Sequence, residues 1–380
     1  MNHQSSKLLN KYDILKLVTI QGPISRLQLQ QITGLSKMTI SNLVREYVDA
    51  GVIISEKKNG NSVGRKTEML SVEPSSLLTL GIYIDNEIMK AGIIDLKGSI
   101  LVDAEFPLSI EETEEYFLLK LLKLCDSVMS EELRPRLWGI GISSKGPIDI
   151  FGGSLLIGEH FPKMPIMKIV APLEKRYNLP VYLDNDANVS ALAELYFSDG
   201  YKYQNFIYVV VKEGIGSGII IDRSLYLGSN GFSGELGHVI INQHGKPCHC
   251  GSHGCLEQYA GIPAVLAAYA QKTGRSLSWA AFEARVTRNE PAALETIDDM
   301  VACLATGLLS LINLVDPECI YLGGKIGFSL DRIITTIKSR LQERFAPIGK
   351  VELVPSKFQM SSSFIGTGAL VMERNCHVEM

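Results

Sequence analysis

The stretch that most restricts what this chain can fold into is residues 231–259, GFSGELGHVIINQHGKPCHCGSHGCLEQY. His238, Cys248, Cys250 and Cys255 stand there as H-x9-C-x-C-x4-C, and three of the chain's seven cysteines fall within eight residues. Thiolate and imidazole are the donors zinc prefers, and four of them in a tetrahedron make a closed structural site. Gly251 and Gly254 let the backbone turn sharply enough for such closely spaced side chains to face one ion. A disulfide or a cysteine-bearing loop without metal is the alternative. A C-x-C pair does not easily bridge to itself, however, and nothing in the chain signals an oxidising compartment. The remaining Cys125, Cys303, Cys319 and Cys376 are scattered among apolar neighbours or lie near the end, as small buried hydrophobes or a surface thiol do. A structural Zn2+ is therefore expected, with two acids, Glu235 and Glu257, beside it.

The first 75 residues have a character of their own. They hold ten Lys/Arg against six Asp/Glu, whereas the remaining 305 hold 27 against 35. A basic head on an acidic body suits contact of the head alone with a polyanion, although so small an excess decides nothing by itself. Residues 7–21 place Leu8, Tyr12, Ile14, Leu15 and Val18 at helical spacing, and Gly22-Pro23 ends that helix. Ser25 and Gln28 form a capping box that opens a second helix to about Thr33. Gly34 breaks the chain and Ser36 caps a third helix, in which Ile40, Leu43, Val44, Tyr47 and Val48 form one stripe. The opposite face presents Lys37, Met38, Thr39, Ser41, Asn42 and Arg45, which suit base edges and phosphates in a major groove. Residues 52–72 then read as two strands around a basic wing ending in Gly64-Arg65-Lys66. The pattern is that of a winged helix-turn-helix. It predicts a DNA-binding domain over residues 1–74, with Arg65 and Lys66 joining the third helix as contacts. A three-helix protein-binding module is the alternative.

Beyond a Pro74-Ser75-Ser76 linker the periodicity changes. LLTLGIYI, MKAGIIDL and SILVDAEF are strand-length apolar runs, followed by a helix over 114–134 and the strand LWGIGISSKG. LPVYLDNDANVSALAELYF breaks from strand to helix at Asn185-Asp186, and NFIYVVVKEGIGSGIIID reads as a hairpin. VACLATGLLSLINLVD is a buried helix that precedes the strand CIYLGG, with helices over 329–346 and from 365 onward. Meander, helix, strand, helix, and then the same theme again, predicts an α/β body of two similar lobes. The start of the chain lacks the apolar core of a signal peptide, and no apolar run approaches the ~20 residues of a membrane helix. A cytoplasmic protein without a membrane partner is expected.

GELGHVIINQHGKPCHCGSHGCLEQYAG closely resembles the signature of the ROK family, which joins sugar kinases and sugar-responsive repressors. LPVYLDNDANVSALAE resembles that family's sugar-binding strand–helix, CIYLGG its late glycine turn, and the winged helix its repressor branch of the xylose-repressor type. The resemblance implies an actin/hexokinase-like body over 75–380, built from two ribonuclease-H-like lobes with sugar bound between them. Lobe 1 is expected over about 75–187 plus a C-terminal helix 365–380, and lobe 2 over about 188–364. It further implies that Asn185, Asp186, Glu235, His238 and Glu257 contact sugar hydroxyls. His238 would give one ring nitrogen to zinc, beside Cys248, Cys250 and Cys255, and offer the other to sugar. In the family's kinases the residue at the position of Asp186 is the general base. The chemistry is sound on its own terms, since carboxylates and an amide pair well with adjacent hydroxyls of a pyranose. Asp186 also suits the N-cap of the helix it opens, and the two roles are compatible.

Two departures from the kinase pattern follow from the same resemblance. The first phosphate loop, D-x-G-G-T in the kinases, reads Tyr83-Ile84-Asp85-Asn86-Glu87. The second, G-T-G-x-G-x-G, reads Lys212-Glu213-Gly214-Ile215-Gly216-Ser217-Gly218. Phosphate approaches backbone N–H groups closely only where side chains leave room. One carboxylate ~4 Å from a nucleotide phosphate is unfavourable by about 4 kcal/mol at an effective dielectric near ~20. ATP is therefore not expected to bind, and no catalytic residue is expected. The reading is a repressor of carbohydrate-utilisation genes that answers to a small sugar or sugar phosphate. Two-fold operator DNA would require a homodimer or a dimer of dimers. The alternatives are an active ATP-dependent sugar kinase that also regulates transcription, and a scaffold that docks another protein.

Overall fold

The computed structural model describes residues 3–57, 68–157, 161–326, 331, 334–335, 337–339 and 351–375. Its contacts divide the chain into two units, Met1–Tyr201 with Ser363–Met380, and Lys202–Ser362.

The head opens the first unit: α1 His3–Gln21, β1 Ile24–Ser25, α2 Arg26–Thr33, α3 Lys37–Asp49, β2 Ile53–Lys57 and β3 Glu68–Val72. Both halves of the α2 capping box form, because Ser25 Oγ accepts the Gln28 N–H and Gln28 Oε1 accepts the Ser25 N–H. Ile40, Leu43, Val44 and Tyr47 of α3 are buried. Val48, placed on the same stripe by its spacing, is exposed at the rim. β1 was not expected. Ile24 and Ser25 pair antiparallel with Leu70 and Met69, which gives a three-stranded sheet of order β1-β3-β2. The turn of the wing, with Arg65 and Lys66, lies outside the described residues.

The body of this unit holds β4 Leu78–Ile84, β5 Ile88–Ile94, β6 Ile100–Pro107, α4 Glu114–Val128 and β7 Leu137–Ser144. A small sheet of β8 Ile148–Asp149, β9 Ser154–Leu155 and β10 Met167–Lys168 follows, then α5 Val170–Tyr177, β11 Val181–Asn185 and α6 Asp186–Phe197. The helix expected over 114–134 ends early, at Val128, and a separate 3-10 turn follows at Arg134–Arg136. The main sheet has the order β11-β7-β4-β5-β6, with Leu80, Ile82, Ile93, Ile140 and Ile142 meeting Phe117 and Leu121 in one core.

The second unit holds β12 Phe206–Val211, β13 Ile215–Ile221, β14 Ser224–Leu225, α7 Glu257–Ala260, α8 Ile262–Thr273, α9 Trp279–Thr287, α10 Pro291–Val315, β15 Cys319–Gly324 and β16 Glu352–Pro355. Its sheet order, β14-β13-β12-β15-β16, repeats the first. In each, an antiparallel three-strand meander is extended by two parallel strands. Every residue of β12 is buried, as in a strand covered on both faces. α10 is long and apolar enough by composition to cross a membrane, yet it places Ile297, Val301, Leu304 and Leu308 in the core of this unit.

α11 Ser362–Arg374 follows the second sheet in sequence and packs on the first. Glycines make room for it: a Cβ on Gly141 would lie 2.3 Å from the Thr367 carbonyl oxygen. A Cβ on Gly366 would lie 2.0 Å from the Val189 carbonyl of α6. α6 is buried from Asp186 to Tyr196. For that reason the first unit runs on to Tyr201 and does not end near residue 187.

Candidate metal centre and strand–helix junction

The cysteine loop leaves β14 and enters a 3-10 turn, Leu236–His238, with exposed Glu235 at its start. Two isolated bridges, Ile240 with Cys255 and Pro247 with His253, fold the loop back on itself. Gly254 sits at φ +77°, and a Cβ there would lie 1.7 Å from the Asn242 carbonyl oxygen, so only glycine fits. The Cys248 N–H donates to Ser252 O and the Gly251 N–H to Cys248 O, which closes the turn between the cysteines. His238 Nδ1 then lies 3.7 Å from Cys248 Sγ, and Cys250 Sγ lies 3.7 Å from Cys255 Sγ. All four ligand atoms are within 4.8 Å of one another. A zinc–sulfur bond of about 2.3 Å puts neighbouring sulfurs of a tetrahedron about 3.8 Å apart, so this donor set fits zinc in chemistry and in spacing. Because His238 turns Nδ1 toward the thiols, Nε2 is the nitrogen left for a second partner.

The thiols are not alike. Burial pushes Cys255 up to about 12 and raises Cys248, whereas a backbone hydrogen bond at Ser252 lowers Cys250 to about 6. Metal binding would therefore release protons chiefly from Cys248 and Cys255.

Glu257, the first residue of α7, stands against this cluster. Its Oε1 lies 3.1 Å from Cys248 Sγ, 3.3 Å from His249 Nδ1 and 3.6 Å from His238 Nδ1. Its other oxygen faces Gly237, where a Cβ would lie 3.3 Å from it and 2.4 Å from the Ile215 carbonyl. His238, Cys248, His249 and Glu257 thus form a second group of possible ligands that shares two members with the first. His249 was missed by sequence reasoning. The available signal was an imidazole between the two cysteines of C-x-C, but spacing gave it no direction.

In the first unit β11 runs into α6 without a loop. Asn185 Oδ1 accepts the Ala187 N–H at 2.9 Å, so the N-cap is Asn185, while Asp186 is the first helical residue. The capping role considered for Asp186 thus belongs to its neighbour. Asp184 behind them is fully buried, and desolvation holds its carboxyl above the usual range.

The turns over residues 83–87 and 212–218 engage their own side chains. Asp85 Oδ1 accepts the N–H groups of Glu87 and Ile88 at 2.7 and 2.8 Å, and the Tyr83 hydroxyl donates to Asp85 Oδ2 at 3.1 Å. Glu213, in the turn between β12 and β13, pairs with Lys325 just after β15. On the head, Lys37, Met38, Asn42 and Arg45 are exposed, and Thr39 and Ser41 are half-buried. The Thr39 hydroxyl is engaged with Ser36 Oγ at 2.9 Å.

A family model described as the ROK family matches residues 79–374. A xylose repressor of Caldicellulosiruptor bescii is 30% identical over 390 residues, spanning 98% of this chain and 97% of that protein. The crystal structure of a ROK family transcriptional regulator, a homologue of the Escherichia coli MLC protein, matches with a TM-score of 0.82 at 25% identity. That match covers 97% of this chain and 96% of the other. A ROK hexokinase from Thermus thermophilus matches with a TM-score of 0.68 at 24% identity, over 77% of this chain and 97% of its own, and shows the fold alone. The body therefore has the two-lobed actin/hexokinase-like fold, and the match to the regulator extends over the head as well.

Proposed function

The chain belongs to the ROK family, and on that premise we propose that it is a sugar-responsive, DNA-binding transcriptional repressor without kinase activity. The observation that carries this reading is the head, whose α3 presents Lys37, Met38, Asn42 and Arg45 to solvent ahead of the family's body. The full-length likeness to a xylose repressor supports it. So does the state of the nucleotide loops. The backbone donors at Glu87 and Ile88 hold the Asp85 carboxylate, an internal anion at the loop that, in this reading, corresponds to the kinases' first phosphate loop. Glu213 adds a second carboxylate, neutralised by Lys325. In this reading zinc on His238, Cys248, Cys250 and Cys255 is structural. Sugar hydroxyls are contacted by Asn185, Asp186, Glu235, His238 and Glu257, and operator DNA by α3 together with Arg65 and Lys66.

The test is a thermal-shift panel of D-xylose, D-glucose, N-acetylglucosamine and their phosphates, followed by operator binding with the sugar that shifts. A ligand at a hundredfold its dissociation constant adds about 2.7 kcal/mol. If no sugar in the panel shifts melting or operator affinity, the sensor reading fails. The kinase reading is favoured by one observation, the carboxylate of Asp186 at the family's base position on a hexokinase-like fold. ATP-dependent phosphorylation of any sugar in the panel, abolished by Asp186→Asn, would install it.

A further inference from the structure

A polar chain in the first unit runs from the strand–helix junction to the DNA-binding head. Asp184, one residue before Asn185, accepts the Asn185 N–H and Asn188 Nδ2 through one oxygen, each at 2.8 Å. Its other oxygen accepts Arg374 Nη2 at 3.2 Å. The preceding residue of α11, Glu373, gives Oε2 to three groups. Lys16 Nζ of α1 donates to it at 2.7 Å, the Tyr12 hydroxyl of α1 at 3.0 Å, and the Tyr196 hydroxyl of α6 at 2.5 Å. Two consecutive residues at one helix end thus hold the junction on one side and the head on the other.

α6 supplies a parallel path. It leads from Asp186 to Tyr196, about 15 Å at about 1.5 Å per residue, and it is buried along that length. Close approach at Gly366 ties it to α11. The seam against α1 is less well satisfied. Tyr12, Lys16, Thr19, Trp138 and Tyr196 line a small cavity there. In it Thr19 Oγ1 and Trp138 Nε1 are buried without a hydrogen-bond partner among the described residues. Leaving such groups unpaired is unfavourable, so a shift of α1 that gave them partners would be favoured.

We propose that Glu373 and Arg374 form the joint through which effector occupancy at Asn185–Asp186 alters the setting of the DNA-binding head. The inference rests on the sugar-sensor reading. A hydroxyl that engages the Asn185 amide competes with the bond from Asn185 Oδ1 to the Ala187 N–H. Asp184 also holds the Asn185 backbone N–H, so a shift of the junction backbone that follows re-aiming Asn185 disturbs the Asp184–Arg374 pair and, through Arg374, its neighbour Glu373 with Lys16 and Tyr12. Coupling by such a device is reciprocal: operator DNA must change sugar affinity by the same factor.

The experiment uses the full chain, D-xylose and N-acetylglucosamine as probes, and a duplex that the protein selects from a random-sequence pool. The ratio of operator Kd with and without sugar, on the order of 5- to 150-fold for allosteric coupling, should fall to within about twofold of unity in Glu373→Gln, Arg374→Gln and Lys16→Met. Sugar-induced thermal shifts should persist in all three. Variants that keep the wild-type ratio overturn the joint and leave the sensor reading intact. Hydrogen exchange of α1 amides tests the joint without sugar: Asp184→Asn, and Arg374→Gln should the first variant not fold, must raise exchange at residues 12–19. Unchanged exchange there overturns the joint even if neither sugar acts.

Discussion

At the scale of single residues the metal centre is the most sharply defined feature. The four candidate donors were legible in the sequence because thiol and imidazole chemistry is carried by side chains close together in the chain, and the structure brings those donors within 4.8 Å of one another. We expect about one zinc per chain by elemental analysis, following from four-coordinate structural sites, and a loss of most of it in Cys255→Ser. The pH dependence follows from the thiols. Cys248 and Cys255 are raised by burial, so zinc must displace their protons, and affinity should climb as pH rises through the neutral range. Competition with a chelator should therefore strip metal more readily at pH near ~6 than near ~8, and a flat profile would count against thiolate ligation. His249 and Glu257 supply the control. If the three cysteines with His238 hold the ion, His249→Ala leaves the zinc content unchanged, whereas loss of zinc would give the site to the second ligand group. The sequence placed Glu257 beside the cluster but not within ligand distance of it, and gave His249 no direction; both follow only from the folded loop and α7.

At the scale of elements, caps and stripes were readable and approach distances were not. The capping box on α2 was evident from Ser25 and Gln28, and Ser25→Ala should destabilise the head by about 1 kcal/mol in urea unfolding. The glycine that lets α6 and α11 touch gave no such sign. An alanine at position 366 would press its Cβ onto the Val189 carbonyl. Gly366→Ala should cost roughly 1–3 kcal/mol by the same measurement, as overpacking does. A smaller effect would mean that the two helices separate easily, which would also weaken the proposed joint. β1 was missed for a related reason, since two residues carry no periodicity and pair only when Leu70 and Met69 are already in place.

At the scale of the whole molecule, head and metal centre belong to different units. Chelation should accordingly abolish the response to sugar at metal concentrations that leave sugar-free operator binding intact; simultaneous loss of both would mean the zinc loop also supports the head. Operator affinity should fall steeply with salt, because phosphate contacts release counterions, and Arg45→Ala should weaken binding and flatten that slope. A slope near zero would remove the DNA-binding assignment.

The sequence by itself determined the cluster of His238 with Cys248, Cys250 and Cys255, the caps and stripes of the head, the two strand meanders and the carboxylates at Asp85, Glu87 and Glu213. Each is a local pattern, set by side-chain chemistry or by a helical or strand period over a few residues. Only the tertiary structure decided that α11 returns to the first sheet, that Asn185 and not Asp186 caps α6, and that Glu257 and His249 share the thiol cluster. The same holds for Asp184 with Arg374 and Glu373 with Lys16, pairs 190 and 357 positions apart. No local period links such residues. They meet because a buried charge must find a partner wherever the packed helices bring one within reach.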